Sequence, residues 1–375
     1  MTFLLGDDSS QMTNQLSRDF ALGFEQIGFS SRCLLASSIK SVEFLEREIS
    51  ANNTSLFVSL SGQGMDLRSK NNAYDELNAP LFLMLLDHPL HNWDKVDVPV
   101  GLSAISTLSE ADQEFILKYS TQKRSAFQLP HAANPHSPKP WEAKEIKLFY
   151  CGTLRENPVT QRQAWSQYGK HIETRLNAIL EEHLASAGET LFESIKRTLA
   201  ETIDCNNPMI IYPYYVTLDL YLRDYYRVEA LKSIKKAPLN LAGSGWETVL
   251  GDFKNSNICY LGGIHPSTVR SYYARAKVVL NFMNKYHESH DRVFSAIADG
   301  SVVLTSTSDF YSKAFSTDEI ILYDHKENSL EEICQKLIFD DTRLREIAEN
   351  GWRKLLSDHT WRHRAETTMR ELPNL

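Results

Sequence analysis

Between His287 and Gly300 the chain reads HESHDRVFSAIADG, and its first six positions hold two imidazoles, two carboxylates and a guanidinium. Apolar residues then recur at helical spacing, so these groups stand just before and within the first turn of a helix. A helix start presents N–H groups without intrahelical partners and the positive end of the helix dipole. With Arg292 and the nearby His287 and His290, that suits an anion such as a diphosphate. Asp291 can equally be a helix cap, and the histidines solvated loop residues. Two His and two acids also look like a metal set. HExxH or a comparable spacing is absent, so anion binding ranks above metal binding and no metal ligand is assigned.

Other strand ends carry similar groups. PLFLMLLDHPLHNW puts Asp87 and His88 at the end of a very apolar run, with Pro89 forcing a turn. A His beside an Asp can act as a general base, because imidazole titrates near neutrality, or it can be a loop His capped by its neighbour. QLPHAAN repeats the arrangement at His131. Gly152, the Gly243-Ser244-Gly245 turn and the Gly262-Gly263 pair all follow apolar runs, where glycine lets a backbone approach a phosphate or ring closely, or simply shapes the turn. Gly6-Asp7-Asp8-Ser9-Ser10 reads first as capping, with a role for Asp7 or Asp8 in a ligand crevice as the alternative. GxGxxG and Walker A patterns are both missing, which ranks a nicotinamide-dependent dehydrogenase last.

The elements that must position these groups alternate along the chain. MTFLLGD, SRCLLA, SLFVSLSG, PLFLMLLD, VPVGLSAIS and SAFQLPHAA read as short apolar strands, with helices over Gln11 to Ile27 and 109–118. IKLFYCGTLR restarts the pattern, followed by a helix-rich block from about Gln161 to Ile234. PLNLAGSG, NICYLGG, KVVLNFM, SVVLTST and EIILYD are then strands, and the chain from Asp341 onward reads as helix. Continuous apolar strands separated by helices predict parallel sheets covered on both faces. Pro135, Pro138 and Pro140 lie within six residues and mark either a domain boundary or a long surface loop. We place the boundary there, giving domains 1–138 and 139–375, two doubly wound halves facing a central cleft at the carboxyl ends of their sheets.

At 375 residues, 42% hydrophobic and 23% charged, the composition is globular. The longest apolar runs fall short of the roughly 20 residues a membrane helix needs. The N-terminus lacks a basic region ahead of its apolar stretch, so it reads as a first strand and not a signal peptide. Five scattered cysteines without a CxxC pair point to reduced thiols and a cytoplasmic protein. A net charge of −8 does not mark the surface for nucleic acid. The tyrosine-rich MIIYPYYVTLDLYLRDYYRVEALKSI can stack on sugars or a peptide, although aromatics at helical spacing more often pack.

YCGTLR, LNLAGSGW, ICYLGGIHPSTVRSYYARAKVVLNFMN, HESHDRVFSAIADGSVVLTS and GWRKLLSDHTWRHRAETTMREL together resemble the C-terminal domain of GT-B glycosyltransferases. They are most similar to the CgeB-like, spore-maturation type branch of the group-1 enzymes, and span most of residues 146–375 in the family's order. DHP and LPHAAN carry the match in the first half. The resemblance implies an enzyme moving a hexose or related sugar from a nucleotide-sugar donor to a protein or cell-surface glycan, without a metal or other cofactor. It places the donor in the C-terminal domain and the acceptor mainly in the N-terminal one. Gly243, Gly245, Gly262, Gly263 and His265 would lie near the nucleotide, and His287, His290, Asp291 and Arg292 at the diphosphate or sugar. One departure concerns the ribose: many relatives place a Glu where this chain has Ser295, which offers only a hydroxyl. The base that deprotonates the acceptor would come from Asp87, His88 or His131. An epimerase of the same fold, or a non-catalytic module binding nucleotide sugar or glycan, are the competing readings.

Overall fold

A computed structural model describes residues 1–7, 10–39, 41–52, 54–65, 80–98, 102–122, 124–186, 189–253, 257–324 and 329–372. Asp8, Ser9 and positions 99–101 of the VPVGLSAIS run lie outside the described residues. The chain divides into two compact units, Met1–Asn134 with Asp358–Leu375, and Pro135–Ser357.

In the first unit six parallel strands form one sheet: β1 (Thr2–Leu5), β2 (Arg32–Leu35), β3 (Phe57–Leu60), β4 (Leu81–Met84), β5 (Leu102–Thr107) and β6 (Ser125–Gln128). Their order is β2-β1-β3-β4-β5-β6. The central strands β1, β3 and β4 are buried along their whole length, whereas the edge strand β2 alternates between half-buried and exposed. That difference follows from position, since β1, β3 and β4 have a strand on each side and β2 ends the sheet. The expected strand SAFQLPHAA ends at Gln128. Beyond it Pro130 has no N–H to donate, and the buried Arg364 takes the carbonyls of Pro130 and His131 at 2.8 and 2.9 Å.

The C-terminal helical stretch is not continuous. It breaks at His359 and Thr360 between the helices Asp341–Asp358 and Trp361–Glu371, where Thr360 and His363 cap the second helix reciprocally. That last helix packs on Gln11–Gln26: Trp361 lies 5.0 Å from the Phe20 ring, and a Cβ at Gly23 would stand 2.4 Å from the Trp361 carbonyl oxygen.

The second unit carries β7 (Ile146–Cys151), β8 (Leu239–Ala242), β9 (Ile258–Tyr260), β10 (Ala276–Asn281), β11 (Val302–Ser306) and β12 (Ile321–Tyr323), all parallel, in the order β12-β11-β10-β7-β8-β9. The direction of winding reverses between β7 and β10, and open α/β sheets bind ligands at the carboxyl ends of such a switch point. Four helices, Pro158–Ala164, Lys170–Ala185, Leu191–Leu199 and Pro208–Ser233, are inserted between β7 and β8. Lys144 is buried, and its ammonium reaches the carbonyls of Tyr273, Ala274, Ala276 and Asp299 at 3.0–3.4 Å. It thereby ties the C-terminal ends of the helices Pro266–Arg275 and Asp291–Ala298 together, where the helix dipoles favour a cation. No helix among the described residues is long and apolar enough to cross a membrane.

Candidate functional site

Two strand-to-helix turns interlock above the carboxyl end of β7. Gly243 has φ +124°, and a Cβ there would stand 2.1 Å from the Gly152 carbonyl oxygen. Gly245 has φ +88°, and its Cβ would meet the Leu154 oxygen at 2.0 Å. Only glycine allows this backbone path and this approach. The turns are sewn together by Gly152 N–H to Ala242 O at 3.0 Å, Leu154 N–H to Ser244 O at 3.0 Å, and Trp246 Nε1–H to Gly152 O at 2.6 Å. The next turn joins them through Gly243 N–H to Gly262 O at 2.8 Å, while the position of a Gly263 Cβ would be 2.9 Å from Ser244 Oγ. Gly152, Gly243, Gly245, Gly262 and Gly263 thus meet in one loop cluster.

Arg292 comes to the same place from β10. It lies in the first turn of Asp291–Ala298, but its side chain folds back into the sheet edge and is only 7% exposed. The guanidinium sits 5.3 Å from the centre of the Tyr150 ring and donates to Asn281 Oδ1, and one of its nitrogens is 3.3 Å from where a Gly152 Cβ would be. Asn281 is itself held by donating to Thr305 Oγ1 at 2.9 Å. Burial works against the charge, but Tyr150, Tyr273 and Asp291 around it raise its pKa further above the ordinary arginine value. Arg292 therefore acts from beneath the Gly152 turn as a fixed, poorly screened positive charge.

Two more guanidiniums converge here that the sequence reading did not single out. Arg227, on the helix Pro208–Ser233, donates to the Thr153 carbonyl at 3.0 Å, and its buried Nε has no partner. Burial lowers its pKa, and the charges of Arg292 and Arg155 act in the same direction, while Asp224 opposes them. Arg155 stands exposed on the Gly152 turn itself. Asp224, fully buried, lies 3.7 Å from Arg227 and faces the backbone of Arg155 and Glu156; burial raises its pKa. The cluster holds three guanidiniums against the carboxylates of Asp224 and Asp291, an excess of positive charge at the β7/β10 switch point.

The loop between β10 and Asp291–Ala298 is anchored by another group absent from the sequence reading, Asp219. Its fully buried carboxylate accepts from Arg223 Nε at 2.8 Å, from Tyr286 OH at 2.8 Å and from His287 Nε2 at 3.0 Å. His287 is therefore turned toward the long helix. Glu288 adopts φ 58° and ψ −61°, with Ser289 N–H bonded to His287 O at 2.6 Å, a tight turn that costs about 1–3 kcal/mol. Its own side chain holds the turn by accepting Phe310 N–H at 2.6 Å.

His290 caps the helix, accepting Arg292 N–H on Nδ1 at 3.2 Å, and the same nitrogen lies 2.8 Å from Asp291 Oδ1. One nitrogen cannot accept from the amide and donate to the carboxylate at once, so the neutral ring serves the cap and the protonated ring the ion pair. Burial holds the His290 pKa down despite the pull of Asp291. Ser295 is half-buried on the same helix face as Asp291. His265 is exposed and caps the helix Pro266–Arg275, its Nδ1 lying 2.7 Å from Ser267 Oγ.

The remaining candidates belong to the first unit. His88 is buried; its Nδ1 accepts Leu90 N–H at 3.2 Å, its Nε2 lies 3.6 Å from Asp112, and Phe115 meets it edge-on at 4.9 Å. It caps a turn and lies beside Asp112, while Asp87 is half-buried just past β4. His131 is buried, its carbonyl held by Arg364. Asp7 is exposed, its carbonyl accepting Asn14 Nδ2 at 3.2 Å. Among the described residues, no three His, Cys, Asp or Glu side chains stand together in a way that could hold a metal ion.

Residues 225–370 match a family profile described as glycosyl transferase-like. No curated protein matches the chain. Solved structures similar to it include the sucrose-phosphate synthase of Thermosynechococcus elongatus, at 12% identity and a TM-score of 0.55 over 99% of this chain and 98% of that one. Another is Anabaena HepE in complex with UDP and glucose, at 13% identity and a TM-score of 0.55 over 100% and 99%. TarM aligns at 10% identity and a TM-score of 0.50, covering 89% of this chain, which spans 57% of TarM's length. The fold is GT-B: two Rossmann-like parallel sheets with helices closing the C-terminus.

Proposed function

We propose that the chain is a glycosyltransferase that binds the diphosphate of a nucleotide sugar at the β7/β10 switch point of its second unit. The observation that carries this is the convergence of Arg155, Arg227 and Arg292 on the glycine turns at 152–154 and 243–245. A glycosyl donor leaves behind a diphosphate that gains negative charge in the transition state, and preorganised cations there lower the barrier. Guanidiniums fill the place a metal ion takes in other transferases, so the proposed transfer of a hexosyl or related group needs none. The exposed Arg155 and the unpartnered Nε of Arg227 touch the phosphates, and Arg292 biases the site from below. Asp291 and Ser295 face the sugar and ribose. HepE is described with UDP, UDP-glucose and glucose, which makes a uridine nucleotide the first to test.

The acceptor, a protein or glycan hydroxyl, gives its proton to a base on the first unit, and Asp87 fits that role better than the buried His88 or His131. The narrower placement in the CgeB-like branch is part of the same proposal and rests on the resemblance of the quoted stretches; the profile match over 225–370 supports the broader glycosyl transferase-like reading. A thermal-shift screen against UDP, GDP, CMP and dTDP sugars tests the reading. One nucleotide class should stabilise the chain by about 2.7 kcal/mol at a hundredfold excess over Kd, and the shift should vanish in Arg227→Gln. Stabilisation that persists in that variant would place the nucleotide elsewhere. Turnover of the stabilising sugar with no acceptor, yielding its epimer, would replace transfer by epimerisation.

A further inference from the structure

The tyrosine-rich helix Pro208–Ser233 has a second working face. Tyr221, Tyr225, Val228 and Lys232 follow the i, i+4, i+7, i+11 spacing of one stripe, rotated by roughly a third of a turn from Arg227. That stripe lines a cavity of about 450 Å³ bounded by the helix Pro158–Ala164 and by the segment from Val249 to Phe253. Its size falls within the roughly 300–1,000 Å³ of small-ligand sites.

The wall is rigid and aromatic. The rings of Tyr221 and Tyr225 stack with centroids 5.8 Å apart and planes 15° from parallel. Trp165 braces Tyr221 from behind, edge-on at 5.1 Å, and Tyr226 braces Tyr225 at 5.5 Å. The rim is made of planar polar groups. Gln163 and Asp252 are exposed, and Arg162 is fixed by its bond to Asn177 Oδ1 at 2.7 Å. Val159, an apolar side chain left 65% exposed, stands on the same rim. The ionisable groups lining the cavity are Arg162 and Lys232 against Glu173, Glu229 and Asp252, which is two positive against three negative. A phosphate or other anion gains nothing from that balance, in contrast to the arginine cluster on the adjoining face of the helix.

A pyranose ring has one face of C–H groups that packs on an aromatic ring and an edge of hydroxyls that pair with planar amides, carboxylates and guanidiniums. We infer that this cavity is a binding site for a neutral saccharide, separate from the donor diphosphate site, that holds a glycan stacked on Tyr225. The choice of a saccharide over another neutral ligand rests in part on the transferase reading; the cavity and its charge balance do not.

The test is an array of immobilised neutral hexose and N-acetylhexosamine oligosaccharides, with sulfated and sialylated oligosaccharides alongside, probed with the whole chain. The wild type should bind a neutral subset, and excess UDP should leave that binding unchanged. Tyr225→Ala and the rim change Val159→Asp should each weaken it at least about tenfold, the scale of one lost aromatic contact. Val159 is exposed, so that variant decides the matter if the tyrosine change disturbs folding. No bound neutral saccharide, a preference for the charged ones, or binding unaltered in Val159→Asp would overturn the proposal. A chain that fails on the array yet is still stabilised by a nucleotide sugar loses this site alone and keeps its donor site.

Discussion

The two sheets have closely related architectures and different edges. In the first unit the turns at the β1/β3 switch point are closed by neutral side chains. Asn14 takes Gly6 N–H at 2.8 Å and gives to the carbonyls of Gly6 and Asp7 at 3.2 Å, while Ser59 Oγ donates to Gln63 O at 2.7 Å. In the second unit backbone meets backbone at the corresponding turns, Trp246 Nε1–H and Tyr260 O–H donate to the carbonyls of Gly152 and Gly243 at 2.6 and 2.9 Å, and guanidiniums gather around them. One edge is closed by neutral amide and hydroxyl side chains; the other gathers buried charge. A parallel sheet with helices on both faces supplies the location of a site, and the residues at the switch point decide its chemistry.

The largest expected effect tests the charge. Arg227→Gln should lower sugar transfer about 100-fold, the scale for removing one preorganised donor from a developing anion, measured as kcat/KM on the donor identified by the thermal screen. Unchanged kcat/KM would erase the contrast between the two edges.

The glycine turns offer a direct pair. Gly243→Ala forces a Cβ against the Gly152 carbonyl at a positive φ and should cost about 2–4 kcal/mol in chemical denaturation. Gly6→Ala in the first unit meets Ser10 and the Gln63 amide but no carbonyl and no positive φ, and should cost less, about 1–2 kcal/mol. Equal losses would mean that the backbone of the second edge is no tighter than that of the first. On the same scale, Asn14→Ala should destabilise by about 1–2 kcal/mol without altering nucleotide affinity, since it removes only the neutral closure of the first edge.

The smallest effect is in pH. Burial holds His290 below its ordinary value of about 6.5, so the folded chain binds fewer protons than the unfolded chain between those two values. The contribution is complete above pH 6.5 and is lost as the pH falls toward the folded-state value. Melting temperatures of His290→Asn, which keeps a capping side chain, should decline less across that window than those of the wild type. An identical decline in both would assign the acid sensitivity to other groups.

Much of the architecture was legible in the residues. Unbroken runs such as TFLL, LFLM and KVVLN announce strands buried on both faces, and the glycines after them announce the turns that the structure brings together. The arginine cluster was only a third legible. Arg292 stood out because it opens a helix beside imidazoles, but Arg227, Asp224 and Asp219 lie in a helix crowded with tyrosines, where the aromatic pattern reads as packing. A signal was present: charged pairs at 219/223 and 224/227 spacing on a helix that otherwise reads as core need partners on a neighbouring element. Which element it is depends on a fold-back across β7 and β10 that spacing along one chain does not encode.

The most direct test of the central claim is a pair of calorimetric titrations with the stabilising nucleoside diphosphate and its monophosphate, on the wild type and on Arg227→Gln. If the arginine cluster holds the diphosphate, the wild type should prefer the diphosphate by at least about tenfold, and that preference should collapse toward unity in the variant. A preference of the same size in both proteins would contradict the account and move the diphosphate away from the β7/β10 edge.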